Sequence, residues 1–282
     1  EGGDPNSLRK EVRIKLLRKI CEQLATTSHI PSAYRYDALQ RLTNEDLIDE
    51  ITLLLKDYRQ CDAAVDFLLQ LIEVGQLNDA VSDVIDFSLN STNKTTVISA
   101  LRALTVTGNG NDRMSVCNAF LKSDRALDQN ILCELLSCLP RVDDAAVWLY
   151  AILLKLPCDS DDSFRGLSRH LAEILSEWPT NLLFRVTVAL IELLSQEPHI
   201  ERRYCEVSKQ FSWLARGAAT AVLSLVKAKD EGVFDSRVLS LLHLLPLIER
   251  LDELDLQKVN LAIGECIAEW KELNYLLFWY CA

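Results

Sequence analysis

Two stretches decide the fold of this chain: LNDAVSDVIDFSL at residues 77–89 and GNDRMSVCNAFL at residues 110–121. In each, an Asn-Asp pair precedes apolar or weakly polar residues spaced three apart, and the second series follows the first by about 33 residues. A third stretch, VDDAAVWLYAILL at 142–154, follows at nearly the same interval, about 32 residues on. Residues at this spacing form one face of an α-helix, so the recurrence predicts a helical repeat. The three series are Val81, Val84 and Phe87, then Met114, Cys117 and Phe120, then Ala146, Leu149 and Ile152.

The polar residue before each series is the predicted start of its helix. Asn78 and Asn111 are expected to act as N-caps, with the side-chain oxygen accepting a hydrogen bond from an unpaired backbone N–H. Asp143 occupies the matching position before the third series.

A partner helix precedes each of these three helices. The partners are expected to stop at Gly75, at Gly108 and just before Pro140, residues that end helices. One helix pair cannot bury its apolar face alone, so successive pairs must cover one another. The pattern predicts a right-handed α-solenoid of stacked antiparallel helix pairs, HEAT/TPR-like, with a period of about 33 residues. The partner helices are predicted at 61–75, 94–108 and 127–140.

The rest of the chain continues the helical pattern less regularly. No stretch alternates apolar and polar residues long enough to predict a sheet, so the fold class is all-α. We assign 1–7 to a vector remnant, 8–58 to an N-terminal helical cap or connector, 59–198 to regular repeats and 199–282 to C-terminal repeats that we expect to be truncated. Later helices are predicted at 161–178, 180–196, 200–228, 234–251 with a kink at Pro246, and 254–270.

The apolar stripes of the predicted helices define an expected core. Its members are Phe67, Leu71, Val84, Phe87, Ile98, Leu101, Leu104, Phe120, Leu132, Leu135, Leu149 and Ile152.

The composition limits the classes of partner. The net charge of −11 repels a phosphate backbone, which argues against general nucleic-acid binding. Most of the nine cysteines lie in apolar helical runs, a usage typical of a reducing compartment, so we expect a cytoplasmic protein. Asn90 and Asn93 match the glycosylation acceptor pattern, but in such a chain we interpret them as turn residues between repeats. No apolar run reaches the roughly 18 residues of a membrane span.

Motifs that mark catalytic or metal sites are missing from the sequence. It has no G-x-x-x-x-G-K-[ST] loop, no H-E-x-x-H and no C-x-x-C. Gly108 and Gly110 lack the third glycine of a dinucleotide loop and predict a turn. Cys133 and Cys138 lie about 140° apart on one helix, too far around it to share a metal, and His243 is interpreted as structural. We therefore predict no catalytic, cofactor-binding or metal-binding residues.

The segment LRKEVRIKLLRKI, residues 8–20, predicts a basic amphipathic helix in an otherwise acidic chain. Leu8, Val12, Leu16 and Leu17 are expected on its buried side. The helix either docks on the chain's own acidic surface or contacts an upstream module, a membrane or nucleic acid. Its candidate interaction residues are Arg9, Lys10, Arg13, Lys15, Arg18 and Lys19.

Four features across 35–155 carry a resemblance to a known family. They are a charged segment before the first helix pair, LLQLIEVGQL, ALRAL before a glycine turn, and CELLSCLPR. This order resembles the helical region that follows the nucleotide-binding core in bacterial STAND-type NTPases, antiviral members included. The resemblance implies a segment that joins the NTPase to a sensor and transmits ligand binding into assembly. It carries over no catalytic residue, because no phosphate-binding motif lies in this chain.

These observations predict a non-catalytic protein-interaction and coupling module, a fragment of a larger STAND-type NTPase of bacterial anti-phage defence. The alternative is a free-standing helical-repeat adaptor or scaffold that binds a protein partner in its concave face. In both cases the partner is a protein and no cofactor is expected. The oligomeric state is left open.

Overall fold

The computed structural model of the chain is built from helices in its described part and has no β-strand there, which confirms the all-α prediction. One isolated bridge between His199 and Ser208 is the sole β-type pairing within that part. The described residues are 9–26, 39–40, 42–124, 127–156, 165–200, 206–249 and 254–280.

The chain forms two compact units that meet in sequence between Pro140 and Arg141, inside the region 59–198 assigned to regular repeats. Short 3₁₀ turns precede α2, α4, α11 and α12. Unit 1 contains α1 (Lys10–Thr26), α2 (Ile48–Asp57), α3 (Asp62–Gly75), α4 (Val81–Asn90), α5 (Lys94–Thr107), α6 (Gly110–Lys122) and α7 (Gln129–Cys138). Unit 2 contains α8 (Ala145–Leu154), α9 (Arg165–Ser176), α10 (Thr180–Leu194), α11 (Ala215–Ala228), α12 (Ser236–Glu249), α13 (Leu254–Glu269) and α14 (Lys271–Tyr280).

Helices in unit 1 pack against their second neighbours along the chain. Helix α5 contacts α3 on one side and α7 on the other, while α4 contacts α6 and also packs onto α5. Contacts between alternate helices arise when successive helix pairs stack, because equivalent helices then lie side by side. Helices α1 and α2 both contact α3 at the start of this series.

Unit 2 shows the same arrangement. Helices α9, α11 and α13 contact one another in series, α10 contacts both α8 and α12, and α10 also packs onto α11. A Cβ at Gly217 of α11 would lie 3.0 Å from Leu171 of α9, so glycine allows these two helices to approach closely. Stacked helix pairs account for the contacts in each unit; the right-handed solenoid that would join them stays a prediction.

The recurring offset in the sequence marks structurally equivalent core positions. Val84, Cys117 and Leu149 are buried, and so are Phe87, Phe120 and Ile152. All the expected core residues are buried except Ile98, which is half-buried. The adjacent Val97 and the small Ala100 take the inward positions of α5 instead.

The predicted N-caps are wrong by one or two positions. Asn109, not Asn111, caps α6: its Oδ1 accepts hydrogen bonds from the N–H groups of Asn111 and Asp112 at 2.8 and 3.0 Å. The Asp112 carboxylate in turn accepts a bond from the Asn109 N–H, which completes a capping box. Asn78 lies in the 3₁₀ turn before α4, and Asp143 lies two positions before the start of α8; the N-caps of these two helices make no side-chain capping bond.

Two further local predictions differ from the structure. The segment predicted as one helix at 200–228 is not helical at Ile200 or at 206–211, where Ile200 and Lys209 take part in backbone bonds of an extended pairing, and it becomes helical at the 3₁₀ turn Ser212–Leu214; residues 201–205 lie outside the described residues. Helix α3 ends at Gly75 as predicted, but the left-handed residue is Gln76, with φ 51°. Glycine is needed at 75 for space, since a Cβ would lie 2.9 Å from Thr43.

Polar contacts tie the starts of α3, α5 and α7 together at about one repeat's spacing. Asn93, the N-cap of α5, donates through Nδ2 to Asp62 of α3 at 2.7 Å. The next residue, Lys94, forms an ion pair with Asp128, the N-cap of α7. Each helix start in this series is therefore linked to the next.

Candidate protein-interaction surfaces

The basic helix α1 is docked within unit 1, and of the face expected from its sequence Leu17 is buried as predicted. Arg13, Leu17, Cys21 and Leu24 are its buried residues. Val12 and Leu16 are 47% and 37% exposed, so the prediction that they are buried is wrong. Leu8, the fourth residue of the expected apolar face, lies outside the described residues.

Two carboxylates explain why α1 turns Arg13 inward. Arg13 donates from Nη2 to Asp46 Oδ2 at 2.6 Å and is only 6% exposed. Further along the helix, Arg18 donates two hydrogen bonds to Glu50, of 2.6 and 2.9 Å. The long aliphatic stem of an arginine covers apolar surface while its charged end reaches a carboxylate, so Arg13 fits a buried position that Val12 was expected to fill.

The remaining basic residues of α1 point to solvent. Val12, Lys15, Leu16 and Lys19 follow the i, i+3, i+4, i+7 pattern and together form what we call the outer face of α1. The structure thus separates the six predicted interaction residues into two that pair within unit 1, Arg13 and Arg18, and four exposed ones. The exposed ones are Arg9, Lys10, Lys15 and Lys19.

Unit 2 contains an open groove of about 480 Å³ between α8 and α10, and Arg237 at the start of α12 also lines it. We call it the α8–α10 groove. Val147, Phe184 and Val188 supply its apolar side chains. Val147, in the first turn of α8, is 72% exposed and lies beside the other apolar side chains of this groove.

The charged residues around the α8–α10 groove are unequally paired. Arg237 is held by two bonds of 2.9 and 2.8 Å to Asp235, and Arg185 lies 3.5 Å from Asp143. The hydrogen bonds and charge of Asp235 raise the pKa of Arg237, with a smaller contribution from Glu192.

Two carboxylates on the rim of this groove are not paired with its arginines. Asp144 and Glu192 are exposed there, and neither makes an ion pair with another described residue. The rim therefore presents negative charge to an incoming partner.

A second groove lies in unit 1, at the C-terminal ends of α4 and α6. It has a volume of about 420 Å³ and is lined by Asn90, Ser91, Thr92 and Ser123 beside Leu89 and Phe120. No charged side chain lines it, and Phe120 is buried in its floor. It therefore offers less for recognition than the α8–α10 groove.

The described residues contain no group of three or more His, Cys, Asp and Glu side chains that could hold a metal. Gly108 and Gly110 flank the cap of α6, which confirms the predicted turn. His243 lies on α12 and is exposed. No helix among the described residues has the length and apolarity to cross a membrane.

One pair of thiols lies in contact inside unit 1. Cys117 of α6 and Cys138 at the end of α7 are both fully buried. A hydrogen bond to Cys138, together with burial, raises the pKa of the Cys117 thiol well above its usual range. Burial also raises the pKa of Cys21 to about 12. Cys117 and Cys21 are therefore protonated packing groups at neutral pH, not nucleophiles.

Sequence reasoning missed the α8–α10 groove. The signal was present in α8, AAVWLYAILL, whose ten residues are almost all apolar. Such a helix has more apolar residues than one buried stripe can take, so part of its surface must face another element, a partner or water.

No family model, curated protein or solved structure matches the chain.

Proposed function

We propose that the chain is a non-catalytic protein-interaction module, built as a right-handed solenoid of stacked helix pairs, that binds a polypeptide segment in the α8–α10 groove. The exposure of Val147 between two helices, beside Phe184 and Val188, carries the proposal. Apolar side chains in a concave surface with a charged rim are the usual composition of a peptide-binding groove.

We also propose a more specific role, in which the chain is part of a larger STAND-type NTPase of anti-phage defence. In that protein, the module would couple the nucleotide-binding core to the sensor. This form rests on the sequence resemblance across 35–155 alone. A free-standing adaptor uses the same groove without an NTPase. Finding a phosphate-binding loop in the same open reading frame would favour the first form, and its absence there would favour the adaptor.

Selection of displayed random peptides against the whole chain tests whether the α8–α10 groove binds polypeptide segments. Enriched peptides are expected to bind V147D at least about tenfold more weakly than the parent chain, because a carboxylate would be buried against apolar side chains. V106D is the matched control, since Val106 is an exposed valine on α5. Peptides that bind V147D and V106D equally, or a selection that enriches none, would contradict the proposal.

A further inference from the structure

We infer that the α8–α10 groove receives the outer face of α1 from a second copy of the chain, so that copies associate head to tail. The inference rests on the groove of the proposed function and names its occupant. It comes from a match between two surfaces of the same chain.

The two surfaces have matching arrangements of apolar and charged residues. On the outer face of α1, Val12 and Leu16 are exposed, with Lys15 and Lys19 beside them. In the groove, an exposed valine at 147 is the main aliphatic residue, with carboxylates on the rim. Residues i and i+4 of a helix lie about 6 Å apart, so the two aliphatic side chains of α1 form a ridge of the width that a groove between two helices accepts.

The outer face of α1 has positive charge that unit 1 does not use. Arg13 and Arg18 are already paired with carboxylates of unit 1, at distances of 2.6 Å. Lys15 and Lys19 are exposed and are left for another molecule.

The groove has negative charge in excess. Both of its arginines lie against aspartates, which leaves Asp144 and Glu192 exposed on the rim. Lys15 and Lys19 placed against these two carboxylates attract the outer face of α1 to the groove. Orientations that bring like charges together are disfavoured, so the charges select this one.

The expected association is weak and joins two different surfaces. One helix face buries less than the roughly 1,200 Å² of a stable interface, so we expect a Kd on the order of 10–100 µM. Since the two surfaces differ, the contact is heterologous, and each added copy presents a new groove and a new helix. Lysine–carboxylate contacts at the surface are screened by salt, so the association weakens at high ionic strength.

Sedimentation velocity over roughly 5–500 µM protein, at low and high salt, tests the inference. The parent chain is expected to form larger species with concentration, and K15E/K19E to associate about tenfold or more weakly. D144K/E192K is expected to lose association as well. An equimolar mixture of the two variants should regain it, because each reversed surface then meets its complement.

K10E/K56E is the matched control, because it makes the same change of charge at exposed lysines outside the outer face. A parent chain that stays monomeric throughout, an equal effect of K10E/K56E and K15E/K19E, or a mixture that fails to associate would overturn the inference. If the parent is monomeric while displayed peptides still bind in a Val147-dependent way, the second copy is excluded and the proposed function stands. Far-UV circular dichroism confirms that each variant is folded.

Discussion

Arg13 and Asp46 lie on different helical segments and are joined by a 2.6 Å ion pair that fixes α1 against the 3₁₀ turn before α2. The Arg13 side chain is more buried than its partner, since it is 8% exposed and that of Asp46 is 36% exposed. A residue expected to attract external partners is therefore part of the unit's own packing. Because Asp46 holds Arg13 inside the unit, Arg13 is not available to bind another molecule.

Removing Asp46 should destabilise unit 1. D46A leaves the Arg13 charge buried without a carboxylate, and we expect a loss of about 2–3 kcal/mol, below the range for a fully buried pair because Asp46 is partly exposed. Urea denaturation measures it. K15A is the control, expected within about 0.5 kcal/mol of the parent. R13M/D46L should cost less than D46A; if it costs more, charge burial is not the cause.

The cap of α6 gives a second test, in which two neighbouring asparagines should behave differently. N109A removes the acceptor of two backbone N–H groups and should cost about 1 kcal/mol. N111A changes an exposed side chain in the first turn and should be close to neutral. Equal losses in thermal or urea unfolding would show that the capping box does not form.

The buried carboxylate of Asp66 gives a pH-dependent prediction. Burial raises its pKa in the folded chain, although the Thr96 hydroxyl opposes the shift. The folded state then holds the proton more tightly than the unfolded state, so this group's contribution to stability is present at low pH and is lost as pH rises through the folded pKa. D66N, which carries no charge, should melt about 2–4 °C above the parent at pH 7, and the difference should close as pH falls toward 4. If the difference in melting temperature between D66N and the parent is the same at pH 7 and pH 4, the pKa of Asp66 is not raised in the folded chain.

The core of the repeat is tested at Leu101, which is fully buried in α5. L101A should cost roughly 2–5 kcal/mol because it leaves a cavity between stacked helices. V106A on the same helix is the control, since Val106 is 42% exposed and should change stability by less than about 1 kcal/mol. A midpoint of unfolding unmoved by L101A would show that the α3–α5–α7 packing is wrong.

Periodicity predicted the helices and their buried sides well where it was strict. Phe87 and Phe120, one repeat apart, occupy equivalent buried positions because apolar burial repeats with the helix pair. Caps were harder to place, since 109–111 is Asn-Gly-Asn and only backbone geometry distinguishes the two asparagines.

Two features depend on contacts that sequence order does not reveal. The inward turn of α1 requires Asp46 and Glu50, which are distant in the chain and meet α1 only when it is folded. The α8–α10 groove requires α10 to lie beside α8, so that Phe184 and Val188 complete a surface begun by Val147. In both cases the local pattern predicted the helix but not its neighbour.

The use of Asn93 as a cap bears on the choice of expression host. Its Nδ2, the atom to which an N-linked sugar is attached, lies 2.7 Å from Asp62, and its Oδ1 accepts from Thr95 and Thr96. If the chain were secreted through a pathway with N-glycosylation machinery, the Asn-Lys-Thr sequence could be modified before folding, and a sugar there would crowd the start of α3. Production in a bacterial cytoplasm avoids this competition between glycan attachment and the first turn of α5.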